Sequence, residues 1–344
     1  MDTAKKEIIT ANALLCLMVI FIHVSSIPIT TLPKDGLSYL IIFIPWRLSA
    51  FVVQGFIFLS GLKMFLKDNK NISYKKYYIS RFKKIVVPYI IWVVVYYLYF
   101  CFIAQYYPFD VKHLLTHMFR GTLVSPFYFI IVIIQFYALA PLWQKLYRNI
   151  RPSITFILSL AVTIILGMYL PAIIEYITNG YIFNYNDRVF TKYLVYWSMG
   201  AIAGLNYDRF IEMIKNKAVI ISVLFISLSA ADLYFSYKSF ALSYSVAFLE
   251  NMHVFYCISA ILFIMLLSTK IRPNKAISSV SSVSYSIFLS HCLVIYIINR
   301  CFEIYGTHGI LIDFIIRFIF TYAITLSFCL LYKHIIYYLK RIHN

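Results

Sequence analysis

The sequence predicts an all-α fold, a polytopic membrane helix bundle of about ten transmembrane helices with both termini cytoplasmic, and three observations predict it. Hydrophobic residues make up 62% of the 344-residue chain and charged residues only 13%, about half the roughly 25% charged share of a soluble globular domain. The apolar residues fall into runs long enough to cross a bilayer, for which about 20 residues of helix suffice. The lysines and arginines collect in the short segments between those runs, which is the positive-inside pattern.

The runs lie near 8–29, 39–66, 84–104, 127–144, 154–173, 191–206, 218–236, 251–269, 283–301 and 310–332. With the N-terminus in the cytoplasm, the basic segments 67–83, 145–153, 207–217, 270–282 and 333–344 all fall on the same side. About 22 of the 31 Lys and Arg are then cytoplasmic, and an odd number of spans would break that agreement. Runs 127–144 and 191–206 are short for spanning helices. Lys5 and Lys6 precede the first run as in a signal peptide, but the run is long enough to span, so a retained first helix is expected. No soluble domain or linker interrupts the series; a single membrane-embedded domain over 1–344 is expected, with the lipid bilayer as its surroundings.

The net charge of +18 does not point to nucleic acid, because that partner calls for a basic face on a soluble domain and these charges sit in loops between spans. The six cysteines, Cys16, Cys101, Cys257, Cys292, Cys301 and Cys329, lie mostly in apolar stretches without metal-ligand spacing. No metal site is expected.

Polar residues inside the spans are the candidates for chemistry, since hydrocarbon penalises them unless they have a partner, a cavity or a function. Asn12 and His23 are eleven residues apart in the first span, near three turns, hence on one face about 16 Å apart. His23 is either a buried histidine bonded to a neighbouring helix or a group lining an opening toward the outer side. In the second span Arg47 enters from the outer side, where it either holds a carboxylate or acyl carbonyl or reaches out to the headgroups. Ser60 and Gly61, nearer the cytoplasm, either permit close helix packing or place Ser60 in the acyl or acceptor pocket. Arg81 and Lys84, three apart at a helix start, either serve an ordinary basic loop beside anionic lipid or bind the phosphates of a cytoplasmic donor. The ninth span carries His291, with Arg300 toward its outer end; two intramembrane histidines on different helices suggest a shared polar cavity. Asp313 and Arg317, spaced i,i+4 in the tenth span, are expected to neutralise each other.

Six segments, in order, carry a resemblance: Val19-Ile-Phe-Ile-His23, Phe56-Ile-Phe-Leu-Ser60-Gly61, Arg81-Phe-Lys-Lys84-Ile-Val-Val-Pro88-Tyr89, Tyr128-Phe-Ile-Ile-Val-Ile-Ile-Gln135-Phe, Tyr196-Trp-Ser-Met-Gly200-Ala-Ile-Ala-Gly204 and Val283-Ser-Tyr285-Ser-Ile-Phe-Leu-Ser-His291. Together they resemble the acyltransferase 3 family of integral membrane acyltransferases, and within it the polysaccharide-modifying branch, over essentially the whole chain. The resemblance implies a plasma-membrane enzyme of a bacterium that moves an acyl group, commonly acetyl from acyl-coenzyme A, to a hydroxyl of a cell-envelope or exported glycan. The acyl-coenzyme A is a donor substrate and no permanently bound cofactor is implied. His23 takes the place of the family's catalytic base, and Arg81-x-x-Lys84 that of its basic donor-binding element, with lysine for the second arginine. Asn12 stands where the family has an arginine, and Gln54 where proline often precedes the Ser-Gly element. An amide cannot replace a cation that grips phosphate. Either another cation, Arg81, Lys83 or Lys84, takes that role, or the donor differs, or this chain is not catalytic.

On this reading a neutral His23 removes the proton from a sugar hydroxyl as it attacks the donor's thioester, with Arg47 or Arg300 stabilising the oxyanion and His291 lining the pocket. The competing reading is an exporter of polysaccharide or lipid-linked sugar, which a polar interior rich in aromatic residues also fits. Against it, no Gly/Pro-interrupted pair of spans recurs at matching places in two halves.

Overall fold

A computed structural model describes residues 5–66, 73–246 and 248–342; the outer parts of two basic segments, 67–72 and 343–344, lie outside the described residues. The described residues are mostly helical and contain no strand. In chain order the helices are α1 (Lys6–Val24), α2 (Ser26–Thr31), α3 (Leu37–Leu48), α4 (Val52–Phe65), α5 (Tyr74–Arg81), α6 (Val87–Leu98), α7 (Val111–Arg120), α8 (Tyr128–Ala138) and α9 (Ala140–Asn149). They continue as α10 (Pro152–Ile177), α11 (Leu194–Leu205), α12 (Tyr207–Asn216), α13 (Ala218–Phe240), α14 (Leu249–Lys270), α15 (Lys275–Ser282), α16 (Ser284–Tyr305) and α17 (Ile310–Ile342).

Among the described residues eight helical stretches are long and apolar enough to cross a membrane, and α7 with α8, bent by 57°, would make a ninth if read as one span. This is fewer than the ten expected, and the difference falls on the two short runs. In 127–144 the helix breaks at Leu139 (φ −85°, ψ 16°) ahead of Pro141, and the polar end of the run becomes the amphipathic α9. In 191–206 only α11 forms, ended at Asn206. At 1.5 Å per residue these helices are about 17–18 Å long against a hydrocarbon core of about 30 Å. The third span, by contrast, starts earlier than expected, running from Tyr74 to Ile103 through a π-helical turn at Phe82–Val86.

The chain divides into two compact units, one of Met1–Val52 with Ile211–Asn344 and the other of Val53–Phe210. In the second, α4 and α11 pack backbone to backbone. A Cβ on Gly200 would meet the Phe58 carbonyl, one on Gly204 the Leu62 carbonyl, and one on Gly61 would stand 2.6 Å from the Trp197 carbonyl. Small residues thus set the approach, as they do where helices have no solvent-driven force to join them. Trp197, fully buried, stacks on Phe136 of α8 with centroids 4.6 Å apart. The short helices α8 and α11 are therefore shielded by protein. Gln135 joins them to the preceding loop, donating to the Arg188 carbonyl (2.7 Å) and accepting from the Phe190 N–H (3.1 Å).

In the first unit α1 packs against α14, α15, α16 and α17. At one end of this unit the Thr10 hydroxyl donates to the Ile271 carbonyl (3.3 Å) and Lys333 Nζ to the Ser282 hydroxyl (2.6 Å). The start of α1 thus shares an end with the basic segment 270–282 and with Lys333, as the charge bias requires. At the other end Lys34 Nζ donates to the Phe240 carbonyl (2.7 Å), and Leu32, Tyr39, Ile42 and Phe43 form an apolar cluster with Leu233 and Tyr237.

Candidate active site

His23 sits at the last turn of α1, but the helix does not end there in effect. Ser25 is held in near-helical geometry, its N–H bonded to the Phe21 carbonyl and its carbonyl accepting from Ile29, so α2 carries the same path on to Thr31. The histidine is therefore deeper in a longer helical run than the sequence suggested. The residue is half-buried, and among the described residues its ring makes no hydrogen bond. Of the two readings open at the outset, a histidine satisfied by a neighbouring helix is not the arrangement seen.

Across from it lies His291 of α16, fully buried, with ring centroids 5.1 Å apart and planes inclined by 44°. His291 Nδ1 donates to the Ile287 carbonyl at 2.9 Å, which fixes the ring and leaves Nε2 as a lone-pair acceptor, 3.4 Å from the Cys292 thiol. The ligand atoms of His23, His291 and Cys292 lie within 4.8 Å of one another, close enough to hold a metal ion. No spacing in the sequence signals this group, because His23 lies on α1 and the adjacent His291 and Cys292 on α16.

Asn12, three turns inward of His23, is buried and donates through Nδ2 to the Ser281 carbonyl (3.0 Å), the Ser281 hydroxyl (3.1 Å) and the Ser284 hydroxyl (2.9 Å). An uncharged amide here ties α1 to the end of α15 and the start of α16 through short polar partners.

Arg47 lies elsewhere in the first unit. Its Nε and Nη2 donate to the two carboxylate oxygens of Asp232 at 2.8 and 2.9 Å, and Nη2 is 2.8 Å from His253 Nδ1. Asp232 is completely buried, and His253 Nδ1 stands 3.0 Å from its Oδ1 while Nε2 is 3.4 Å from the Cys257 sulfur. Arg47 makes no hydrogen bond to His23 or His291. Of the alternatives for Arg47, holding a carboxylate is the one realised. Asp232 and His253 were missed by the sequence reading, although the rarity of ionisable groups in apolar runs, the signal that singled out His23, marks them equally.

Arg300 pairs with Glu303 at 2.8 Å near the outer end of α16. Asp313 and Arg317 lie close enough to interact electrostatically but form no direct salt bridge. Asp313 accepts from the His308 N–H (3.0 Å), while Arg317 Nε donates to Asn299 Oδ1 (2.8 Å) and its guanidinium lies 5.4 Å from the Phe302 ring. The loop before α17 captures the carboxylate first, so the i,i+4 spacing alone does not decide the contact.

Outward of the histidines a cavity of about 450 Å³ opens between α2, α16 and the start of α17, with Thr31, Asn299, Phe302, Glu303, Asp313 and Arg317 in its wall. Ile27 and Thr31 stand four and eight residues beyond His23, and Asn299 eight beyond His291, so the cavity continues the face that carries both imidazoles.

In the second unit Arg81 is held between the Tyr77 and Tyr137 rings, 5.1 and 4.8 Å from their centroids. Lys84 is exposed, and the π-helical turn at Phe82–Val86 follows Arg81 directly. Ser60 is half-buried on α4 beside the close-packed Gly61.

The chain is 26% identical over 324 residues to proteins named probable poly-beta-1,6-N-acetyl-D-glucosamine export protein from Staphylococcus aureus strains MSSA476, MW2 and N315. The alignments cover 86% of this chain and 83% of each relative. No solved structure matches it. A family model described as an acyltransferase domain matches residues 7–334, from the first turn of α1 into the last third of α17, and the chain belongs to that acyltransferase family.

Proposed function

We propose that this multi-pass membrane acyltransferase moves an acyl group, acetyl from acyl-coenzyme A, to a hydroxyl of a cell-envelope or exported glycan at a bacterial plasma membrane. The observation that carries the reading is His23: an imidazole with unbonded nitrogens, beside an oriented second imidazole and facing the same way as an outer cavity. A neutral His23 removes the proton from the acceptor hydroxyl as that oxygen attacks the thioester carbonyl. The tetrahedral intermediate then expels the thiolate, to which the proton passes, leaving the O-acyl ester and free coenzyme A. His291, anchored at Nδ1, keeps the facing wall rigid.

Arg81 and Lys84 are the donor-phosphate candidates on the cytoplasmic side, with Arg81 pre-oriented by its two tyrosines. Asn12 acts there only through the helix contact it makes. Arg47 and Arg300 were candidates for oxyanion stabilisation; each holds a carboxylate in the resting structure. The test is labelled-acyl transfer to cell-surface glycan by membranes containing wild type or His23→Ala. Loss in the variant supports the assignment, and undiminished transfer removes it.

The printed name of the Staphylococcus relatives favours a second reading, glycan export. Deletion separates the two. Surface glycan that stays abundant but lacks an acyl ester is the acyl-transfer outcome, whereas lost surface glycan with intracellular accumulation is the export outcome.

A further inference from the structure

The cavity outward of His23 has a composition that acyl transfer by itself does not explain. Arg317 is only 4% exposed, its Nε is taken by Asn299, and its Nη1 is buried without a hydrogen-bond partner among the described residues. A buried donor without an acceptor is costly, more so on a charged group, and the guanidinium to which it belongs lines the cavity. Asp313, one turn outward on the same helix, is also buried and turned to His308. The failure of these two residues to pair leaves a donor and an acceptor group on the wall of one cavity.

We propose that this cavity is a subsite for a neutral sugar residue of the acceptor glycan, with Arg317 donating to and Asp313 accepting from its hydroxyls. The proposal deepens the acceptor-glycan reading above and rests on it.

The charges around the cavity select a neutral ligand. Its titratable groups are Arg317, Asp313 and Glu303, with Arg300 paired to Glu303 and His308 beside Asp313. An anion would gain Arg317 and face two carboxylates; a cation would gain the carboxylates and face the Arg317 guanidinium. A sugar hydroxyl both donates and accepts, so vicinal hydroxyls satisfy the guanidinium and a carboxylate together. Asn299 and Thr31 add polar contacts, and Phe302 and Ile27 offer apolar surface for the ring C–H faces. At about 450 Å³ the space lies within the roughly 300–1,000 Å³ usual for small-molecule sites. Ile27 and Thr31 are about 6 and 12 Å beyond His23 along the helix. A glycan seated there directs its neighbouring residue toward His23.

The test uses full-length protein in nanodiscs and calorimetric titration with a β-1,6-linked N-acetylglucosamine trisaccharide, the polymer unit in the relatives' name. A hexuronate trisaccharide and inorganic phosphate are the anionic probes. The neutral trisaccharide is expected to bind most tightly, with at least tenfold weaker binding in Arg317→Gln and in Asp313→Asn. Ile310→Trp, which fills the cavity from a partly exposed wall position without touching a charge, is expected to block binding while leaving the melting temperature near wild type. Tighter binding of phosphate or hexuronate, strengthened by Asp313→Asn, would overturn the proposal. So would trisaccharide binding that is indifferent to all three substitutions. His23→Ala is expected to bind the trisaccharide like wild type. Arg317-dependent binding in a wild-type protein that transfers no acyl group would keep the subsite and remove the transfer reading; acyl transfer that Ile310→Trp leaves unchanged would do the reverse.

Discussion

His23 and His291 face each other with ring centroids 5.1 Å apart, and only His291 is anchored, through its Nδ1–H to the Ile287 carbonyl at 2.9 Å. This asymmetry separates a reacting group from a supporting one. Replacing His23 with Ala is expected to lower kcat about 10²–10⁴-fold, the usual contribution of a positioned base. His291→Gln, which can still reach the Ile287 carbonyl, is expected to lower kcat by about tenfold and to leave donor KM unchanged. Steady-state transfer kinetics on purified protein distinguish these outcomes, and equal losses in both variants would argue that the two rings act as one unit.

The same two histidines, with Cys292, could capture a soft metal. If His23 works as a base, chelator-treated protein keeps its transfer rate and added zinc inhibits, because the metal occupies the lone pair the proton needs. Cys292→Ser should weaken that inhibition. Activity lost on chelation and restored by zinc would instead make the cluster a metal centre.

Asp232 is completely buried and receives both Nε and Nη2 of Arg47. Removing one partner leaves an uncompensated charge, so Asp232→Asn and Arg47→Met are each expected to destabilise by about 3–5 kcal/mol. The double variant with Asp232→Leu should recover much of that loss. Thermal unfolding in nanodiscs, arranged as a double-mutant cycle, measures the coupling; additive losses would show that the pair is not energetically linked.

Asn12 makes three hydrogen bonds to Ser281 and Ser284. Asn12→Ala is expected to cost about 1–3 kcal/mol, since half-buried partners lose their donor. Asn12→Arg should be no better, because it replaces the amide that makes the short contacts to Ser281 and Ser284. Improved stability and activity in Asn12→Arg would show that a cation belongs at this place after all.

Gly200 faces the Phe58 carbonyl so closely that a Cβ has no space. Gly200→Ala is expected to push α4 and α11 apart and to lower stability by about 1–3 kcal/mol. The control is Gly167→Ala, where an added methyl meets nothing within 4 Å and should be tolerated or stabilising in the helix.

Composition and hydropathy made the membrane-spanning helical class legible, because the bilayer's demand for long apolar helices is written along the chain without reference to tertiary contacts. The weak points were legible too: the two runs that seemed short for spans are the ones that fold as α8 and α11. What hydropathy could not say is that Phe136 and Trp197 would stack and bury those short helices inside protein. The rarity of ionisable residues in apolar runs found His23, Arg47 and His291, and the ordered segments pointed to the acyltransferase family that the chain belongs to.

The sequence by itself therefore determined the class of fold, the family and which side chains were too polar to be ordinary lipid-facing or core residues. Only the tertiary structure decided their partners. Arg47 finds Asp232 from a helix 185 residues away, Asp313 turns to His308 rather than Arg317, and Asn12 meets serines some 270 positions on. Periodicity places a residue on a face of its own helix, but whether a buried charge is neutralised or left facing a cavity depends on which other helix packs against that face. For His23 and Arg317 it is α16 that sets the outcome, giving one a facing imidazole and the other an amide that takes only part of its hydrogen-bonding capacity.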